Sequence, residues 1–170
     1  MNRSRKNKMT KDTVPEGFSL QMALVDAIPV ILFGLSAVRV GSLFGSRIFI
    51  AGALICLFSG AAKVLWKLIA AAAGKNVWPL FVQMRILMPA GFAIMLAALI
   101  IDRARLSAAA VVSALTGFPA CVFFAAGALG MIAMLIFAFR MDSANPRVNW
   151  LEQGVNSAAQ LCFFIGLLLV

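Results

Sequence analysis

The chain has 170 residues, of which 63% are hydrophobic and 12% are charged, and its mean hydropathy is +1.00. Soluble domains carry about 25% charged residues, so this composition excludes an ordinary soluble domain and favours a membrane protein. The formal net charge is +9, but five cations lie in the first eleven residues and most others near the ends of apolar runs. That distribution is typical of membrane topology and contact with anionic lipids, so no nucleic acid is expected as a partner.

The apolar runs are long and continuous, which predicts an all-α fold, a polytopic transmembrane helix bundle of about five spans. Helices are favoured because backbone that faces lipid must satisfy its own hydrogen bonds. Residues 1–17 are predicted to form a basic cytoplasmic tail that contacts anionic head groups, and residues 18–170 a single transmembrane helical domain. The predicted spans are 18–38, 48–73, 78–101, 106–139 and 148–170.

The fourth predicted span is too long for one straight crossing. Its 34 uncharged residues would form a helix of about 51 Å, whereas the hydrocarbon core is about 30 Å thick. The sequence Gly117-Phe118-Pro119 is therefore expected to kink the helix near 117–119. A broken or re-entrant pair in this stretch, with six spans in total, stays open as the alternative.

Orientation follows from the cations that flank the spans, because cytoplasmic loops carry an excess of Lys and Arg. With the N-terminus in the cytoplasm, eight cations lie on that side: Arg3, Arg5, Lys6, Lys8, Lys11, Lys75, Arg140 and Arg147. Four lie outside: Arg39, Arg47, Arg103 and Arg105. We therefore expect a multi-pass protein of the cell membrane, in a bacterium the cytoplasmic membrane, with its C-terminus outside.

The residue inventory removes several kinds of chemistry. The chain has no His, which excludes His-ligated haem, most zinc sites and every Ser-His or Cys-His catalytic pair. Its three cysteines are isolated within apolar runs and indicate no disulfide framework. We expect neither a metal nor a cofactor.

Charged residues inside the apolar runs are the main functional signal. At about 1.5 Å per residue, Asp26, Lys63, Lys67 and Arg85 all fall within about 15 Å of the cytoplasmic end. The last span adds five polar residues that fall within an arc of roughly 100° at 100° per residue. Together they predict a polar, net-cationic cavity in the cytoplasmic half of the membrane. Its candidate ligand-binding residues are Asp26, Lys63, Lys67, Arg85, Asn149, Glu152, Asn156 and Gln160.

Simpler interpretations stay open for the same residues. Lys and Arg can extend their side chains to the interface and keep the charge in water. Asp26 is too short for that, so its simpler role is a structural ion pair with Lys63 or Arg85. The polar stripe of the last span, which also contains Gln153, could pack helices together through amide hydrogen bonds.

Three functions remain. The first is a small transporter or binding protein for an anionic solute or lipid head group, favoured by three cations over two carboxylates. The second is a membrane-embedded lipid-modifying enzyme using Asp26 and Glu152 as acid or base, Lys63 as an amine and Arg85 as an anion clamp. The third is a structural or accessory membrane subunit. Membrane lipids and an anionic small molecule are the candidate partners, and the oligomeric state is left open.

Overall fold

A computed structural model describes residues 19–141 and 146–170, and every regular element within these ranges is helical. The α-helices are α1 (Leu20–Phe44), α2 (Arg47–Ala73), α3 (Trp78–Val82), α4 (Met84–Ile101), α5 (Ala108–Thr116), α6 (Ala120–Arg140) and α7 (Pro146–Leu168). A 3-10 helix, Arg103–Arg105, follows α4. The predicted basic tail, 1–17, and residues 142–145 of the last predicted loop lie outside the described residues.

Four described stretches are long and apolar enough to cross a membrane. They are Leu20–Phe44, Arg47–Ala73, Trp78–Ile101 and Ala120–Phe137. The protein is therefore a helical membrane protein, as its composition indicates. Helix α7 is not among the four, because the first half of this helix carries the polar stripe.

The connection between α1 and α2 is much shorter than predicted. The expected loop, 39–47, is helical up to Phe44, and only Gly45 and Ser46 separate the two helices. Gly45 has a φ of +67°, the left-handed conformation that ends helices and that glycine adopts without steric cost. The Ser46 hydroxyl then accepts a hydrogen bond from the Phe49 backbone N–H and caps α2. Arg39 consequently lies on a helix rather than in a loop.

The long helices pack as a row in the order α4, α2, α1, α7, α6. Helix α2 thus lies between α1 and α4, and its many small residues allow both neighbours to approach closely. Gly52 of α2 and Gly91 of α4 meet so closely that a Cβ on either would come within 2.8 Å of the other's carbonyl oxygen. The two helix backbones therefore touch directly, which fixes how α4 is rotated about its own axis.

Two interruptions divide the remaining helical stretches. Gln83 separates α3 from α4 within the third predicted span, and the Gly117-Phe118-Pro119 sequence separates α5 from α6. Helix α5 has 9 residues, or about 14 Å, which is less than half of the hydrocarbon core. By length, α6 is the part of the fourth predicted stretch that can cross a membrane.

Candidate ionic site between the helices

An ion pair joins α1 to α2 inside the protein. The Lys67 Nζ atom lies 2.7 Å from Asp26 Oδ2, and the two side chains are only 6% and 7% exposed. Transferring either charged group from water into the protein costs free energy. At this burial, that cost is offset mainly by the attraction between the two groups. The contact is also short enough for a charge-assisted hydrogen bond.

The helix register explains why these two residues meet. Asp26 lies six residues after the start of α1, and Lys67 lies six residues before the end of α2. Because the connecting turn has two residues, α1 and α2 run antiparallel, and both positions lie about 9 Å from the same end of the bundle. We call this the proximal end, where α1 begins and α2 ends, and the opposite one the distal end.

Two further charges belong to the same neighbourhood. Lys63 and Glu152 both lie close enough to Lys67 to interact electrostatically with its ammonium group. Both side chains are partly buried. Glu152 lies six residues after the start of α7, so α7 also begins at the proximal end. We refer to Asp26, Lys63, Lys67 and Glu152 as the ionic cluster, and it draws on three helices.

The structure corrects the predicted partner of Asp26. We expected Lys63 or Arg85, but the residue in contact is Lys67. The Arg85 side chain is exposed, and its guanidinium lies 5.5 Å from the centre of the Phe81 ring. With Arg85 outside, the ionic cluster holds two cations and two carboxylates, so the expected excess of cations is not present within it.

An aromatic group supports the α2 side of the cluster. Trp66 is 1% exposed, and its indole N–H donates a hydrogen bond of 2.9 Å to the Asn76 side-chain oxygen. Its ring lies 4.7 Å from that of Phe81, centre to centre, and Phe81 also contacts Trp78 at 5.3 Å. These contacts hold the segment after α2 against the turn that carries Lys67, so they limit how far that lysine can move.

The polar stripe of α7 faces the protein interior to differing degrees. Asn149 and Gln153 are buried, and the other three members, Glu152, Asn156 and Gln160, are partly buried. Gln160 donates a 3.8 Å hydrogen bond to the Met131 sulfur of α6. The structure thus brings Glu152 to the ionic cluster, whereas Gln160 contacts the neighbouring helix α6.

Several buried polar atoms near these helices were not singled out from the sequence. Gln83 donates to the Ser59 carbonyl oxygen at 3.0 Å, which ties the α3–α4 break to the middle of α2. Among the described residues, the Gln83 Oε1 and Ser59 Oγ atoms are buried and have no hydrogen-bond partner. An uncharged glutamine within an apolar span was the available signal for Gln83, since such residues usually bond to a neighbouring helix.

Comparison with known proteins adds no family assignment. No protein-family model matches the chain, no curated protein matches it, and no solved structure matches it.

Proposed function

We propose that this protein is a small transport or binding protein of the cell membrane whose ligand is an anionic solute or lipid head group. In this proposal Lys67 binds the anion, Lys63 adds a second cation, and Asp26 is the internal counter-ion that the ligand replaces. The observation that carries the proposal is the Asp26–Lys67 pair, buried between two candidate spans.

Energetics favour a functional reason for that pair. Replacing a buried ion pair by apolar residues of similar size often leaves protein stability unchanged or raises it. Stability alone is therefore a poor explanation for the presence of such a pair. Ionisable residues within transmembrane helices are rare, and they commonly mark sites of binding or transport. Lys67 also interacts electrostatically with Glu152 and Lys63. Replacing Asp26 by a ligand as the partner of Lys67 would therefore change the interactions among charged groups on α1, α2 and α7.

Access to the site requires motion. Asp26 and Lys67 are both buried, so an anion reaches the ammonium group only when α1, α2 or α7 shifts. Carriers that bind a solute inside the membrane and open to alternate sides need a movement of this kind. The aromatic contacts of Trp66 limit motion of the segment after α2, which leaves α1 and α7 as the elements more free to move.

The test uses matched variants of the ionic cluster. Asp26→Asn combined with Lys67→Met removes both charges, and Lys75→Met removes an exposed cation just beyond the same end of α2. We expect native mass spectrometry of the parent, purified in mild detergent, to reveal a retained anion that the Lys75 variant keeps. The double variant should fold, by thermal melt, yet lose that anion.

The other outcomes separate the alternatives. A folded double variant that retains the anion would reduce the pair to a structural role and overturn the proposal. Covalent turnover of a lipid extract by the parent would favour the enzyme, and co-purification of an unlike membrane chain would favour the accessory subunit.

Five spans with a cytoplasmic N-terminus complete the proposal, in a bacterial cytoplasmic membrane. The register of Glu152 supports it, because α7 then begins at the same end as α1 and an odd number of crossings follows. A reporter fused after Val170 should be located outside, and one inserted in the 74–77 turn should be cytoplasmic. A cytoplasmic C-terminal reporter would contradict five spans and favour six.

A further inference from the structure

A second charged region lies at the distal end, and the proposed function does not use it. A cleft of about 350 Å³ lies where α1 ends, α2 begins and α4 ends, and it is lined by Gly45, Arg47, Ile48, Asp102 and Arg105. We call it the distal cleft. Because three candidate spans begin or end around it, a bilayer crossed by these spans would have its lipid head groups at the level of the cleft.

Side-chain contacts hold one wall of the distal cleft in place. The Ser46 hydroxyl donates to the Asp102 carboxylate, and Arg105 Nε lies 3.6 Å from the other carboxylate oxygen. Arg105 Nη1 also donates to the Gly45 carbonyl oxygen at 2.7 Å. Asp102 is therefore already compensated by Arg105, and a guanidinium has five N–H donors, so Arg105 keeps donors for a further acceptor.

Arg47 supplies the uncompensated charge. Its side chain is exposed, and within the described residues its guanidinium makes no ion pair or hydrogen bond. Counting Arg47, Arg105 and Asp102, the distal cleft carries a net charge of +1. A planar guanidinium matches the oxygen geometry of a phosphate group, with which it can form two parallel hydrogen bonds.

Apolar side chains are exposed around the distal cleft. Ile48 lines it, and Leu43 on α1 and Ile100 and Ile101 on α4 are exposed at the ends of the helices that surround it. A phosphate bound between two arginines would thus have an apolar surface beside it, which is the pattern that a phospholipid requires. A free phosphate ion would use the arginines alone.

We infer that the distal cleft is a binding site for a phosphate group, and that this phosphate belongs to the head group of an anionic phospholipid whose acyl chains lie along the apolar surface beside the cleft. This site is at the opposite end from the ionic cluster, so it stands independently of the proposed function. Losing one guanidinium–phosphate contact in the cleft should weaken binding about fivefold, which corresponds to roughly 1 kcal/mol.

The test follows phosphatidylglycerol bound to the full chain. We expect native mass spectrometry to show lipid adducts that Arg47→Gln reduces about fivefold and that Arg47→Gln with Arg105→Gln reduces further. Arg103→Gln is the matched control, since Arg103 is exposed at the same end but does not line the cleft. It should bind lipid like the parent, and the double variant of Asp26 and Lys67 should keep the adducts that Arg47→Gln reduces.

Arg47 carries the decisive result, because it holds no other group in place and its loss should leave the fold intact. Equal adducts in the parent and Arg47→Gln would overturn the site, as would an equal loss in Arg103→Gln. Addition of inorganic phosphate separates the two sources of the ligand. The lipid assignment would be overturned if the parent showed no lipid adducts and phosphate raised its melting temperature but not that of Arg47→Gln. That result would indicate a site for free phosphate.

Discussion

The Asp26–Lys67 pair and the Asp102–Arg105 pair each join a carboxylate to a cation, but they lie at opposite ends of the helices. In the first pair the charged atoms are 2.7 Å apart and both side chains are almost fully buried. In the second they are 3.6 Å apart, and the arginine side chain is 62% exposed. Water can replace the partner in the second pair and not in the first.

That difference decides what each contact does. Removing one partner of a buried ion pair lowers the stability of a protein by several kcal/mol. An exposed pair contributes only about 0–1 kcal/mol, because water and salt screen its charges. The Asp26–Lys67 pair therefore decides how stably α1 and α2 stay packed together. The distal pair mainly positions Arg105 and compensates Asp102 while the cleft stays open to other groups.

The largest expected effect follows from breaking the proximal pair on one side. Asp26→Asn and Lys67→Met should each destabilise the protein by about 3–5 kcal/mol, because the remaining group is buried without its counter-charge. The double variant should regain most of that loss. Thermal or denaturant unfolding in one detergent measures all three, and singles that unfold like the parent would show that the pair is hydrated.

Removing the distal charge should cost far less. Asp102→Asn keeps an oxygen that can accept from Ser46 but ends the attraction to Arg105, so we expect a loss of about 1 kcal/mol or less. Unfolding at low and high salt provides the measurement. A loss as large as that of Asp26→Asn would mean that the exposed pair is energetically equivalent to the buried one.

The helical architecture could be predicted from the sequence, whereas the partners within the ionic cluster could not. The lengths of the apolar runs and the cations at their ends predicted the helices. The distances of Asp26 and Lys67 from the ends of their helices predicted that both lie in the same half of the membrane. Choosing between Lys67 and Lys63 depends on helix rotation. Gly60 of α2 packs against Val30 of α1, and Lys67 lies only about 20° around α2 from Gly60, whereas Lys63 lies about 60° away. Nothing in the pattern identified Gly60 as the contact point.

Rotation also explains the position of Arg85. Gly91 marks the face of α4 that touches α2, and Arg85, six residues earlier, lies about 120° around the helix from it. The backbone contact between Gly52 and Gly91 therefore directs Arg85 away from the ionic cluster. Run length and depth alone could not show this, because both are unchanged when a helix rotates.

The smallest expected effect is at Arg85, and it separates the exposed cation from the buried one directly. The guanidinium lies over the Phe81 ring, a contact that contributes roughly 0.5–1 kcal/mol at an exposed site. Arg85→Gln should therefore lower stability by no more than about 1 kcal/mol and leave anion retention unchanged. Lys67→Met, which also removes one cation, is the matched comparison and should impair both. Thermal melts and native mass spectra of the two variants provide the measurement. Loss of the anion in Arg85→Gln would show that Arg85 belongs to the binding site, as its predicted depth in the membrane indicated.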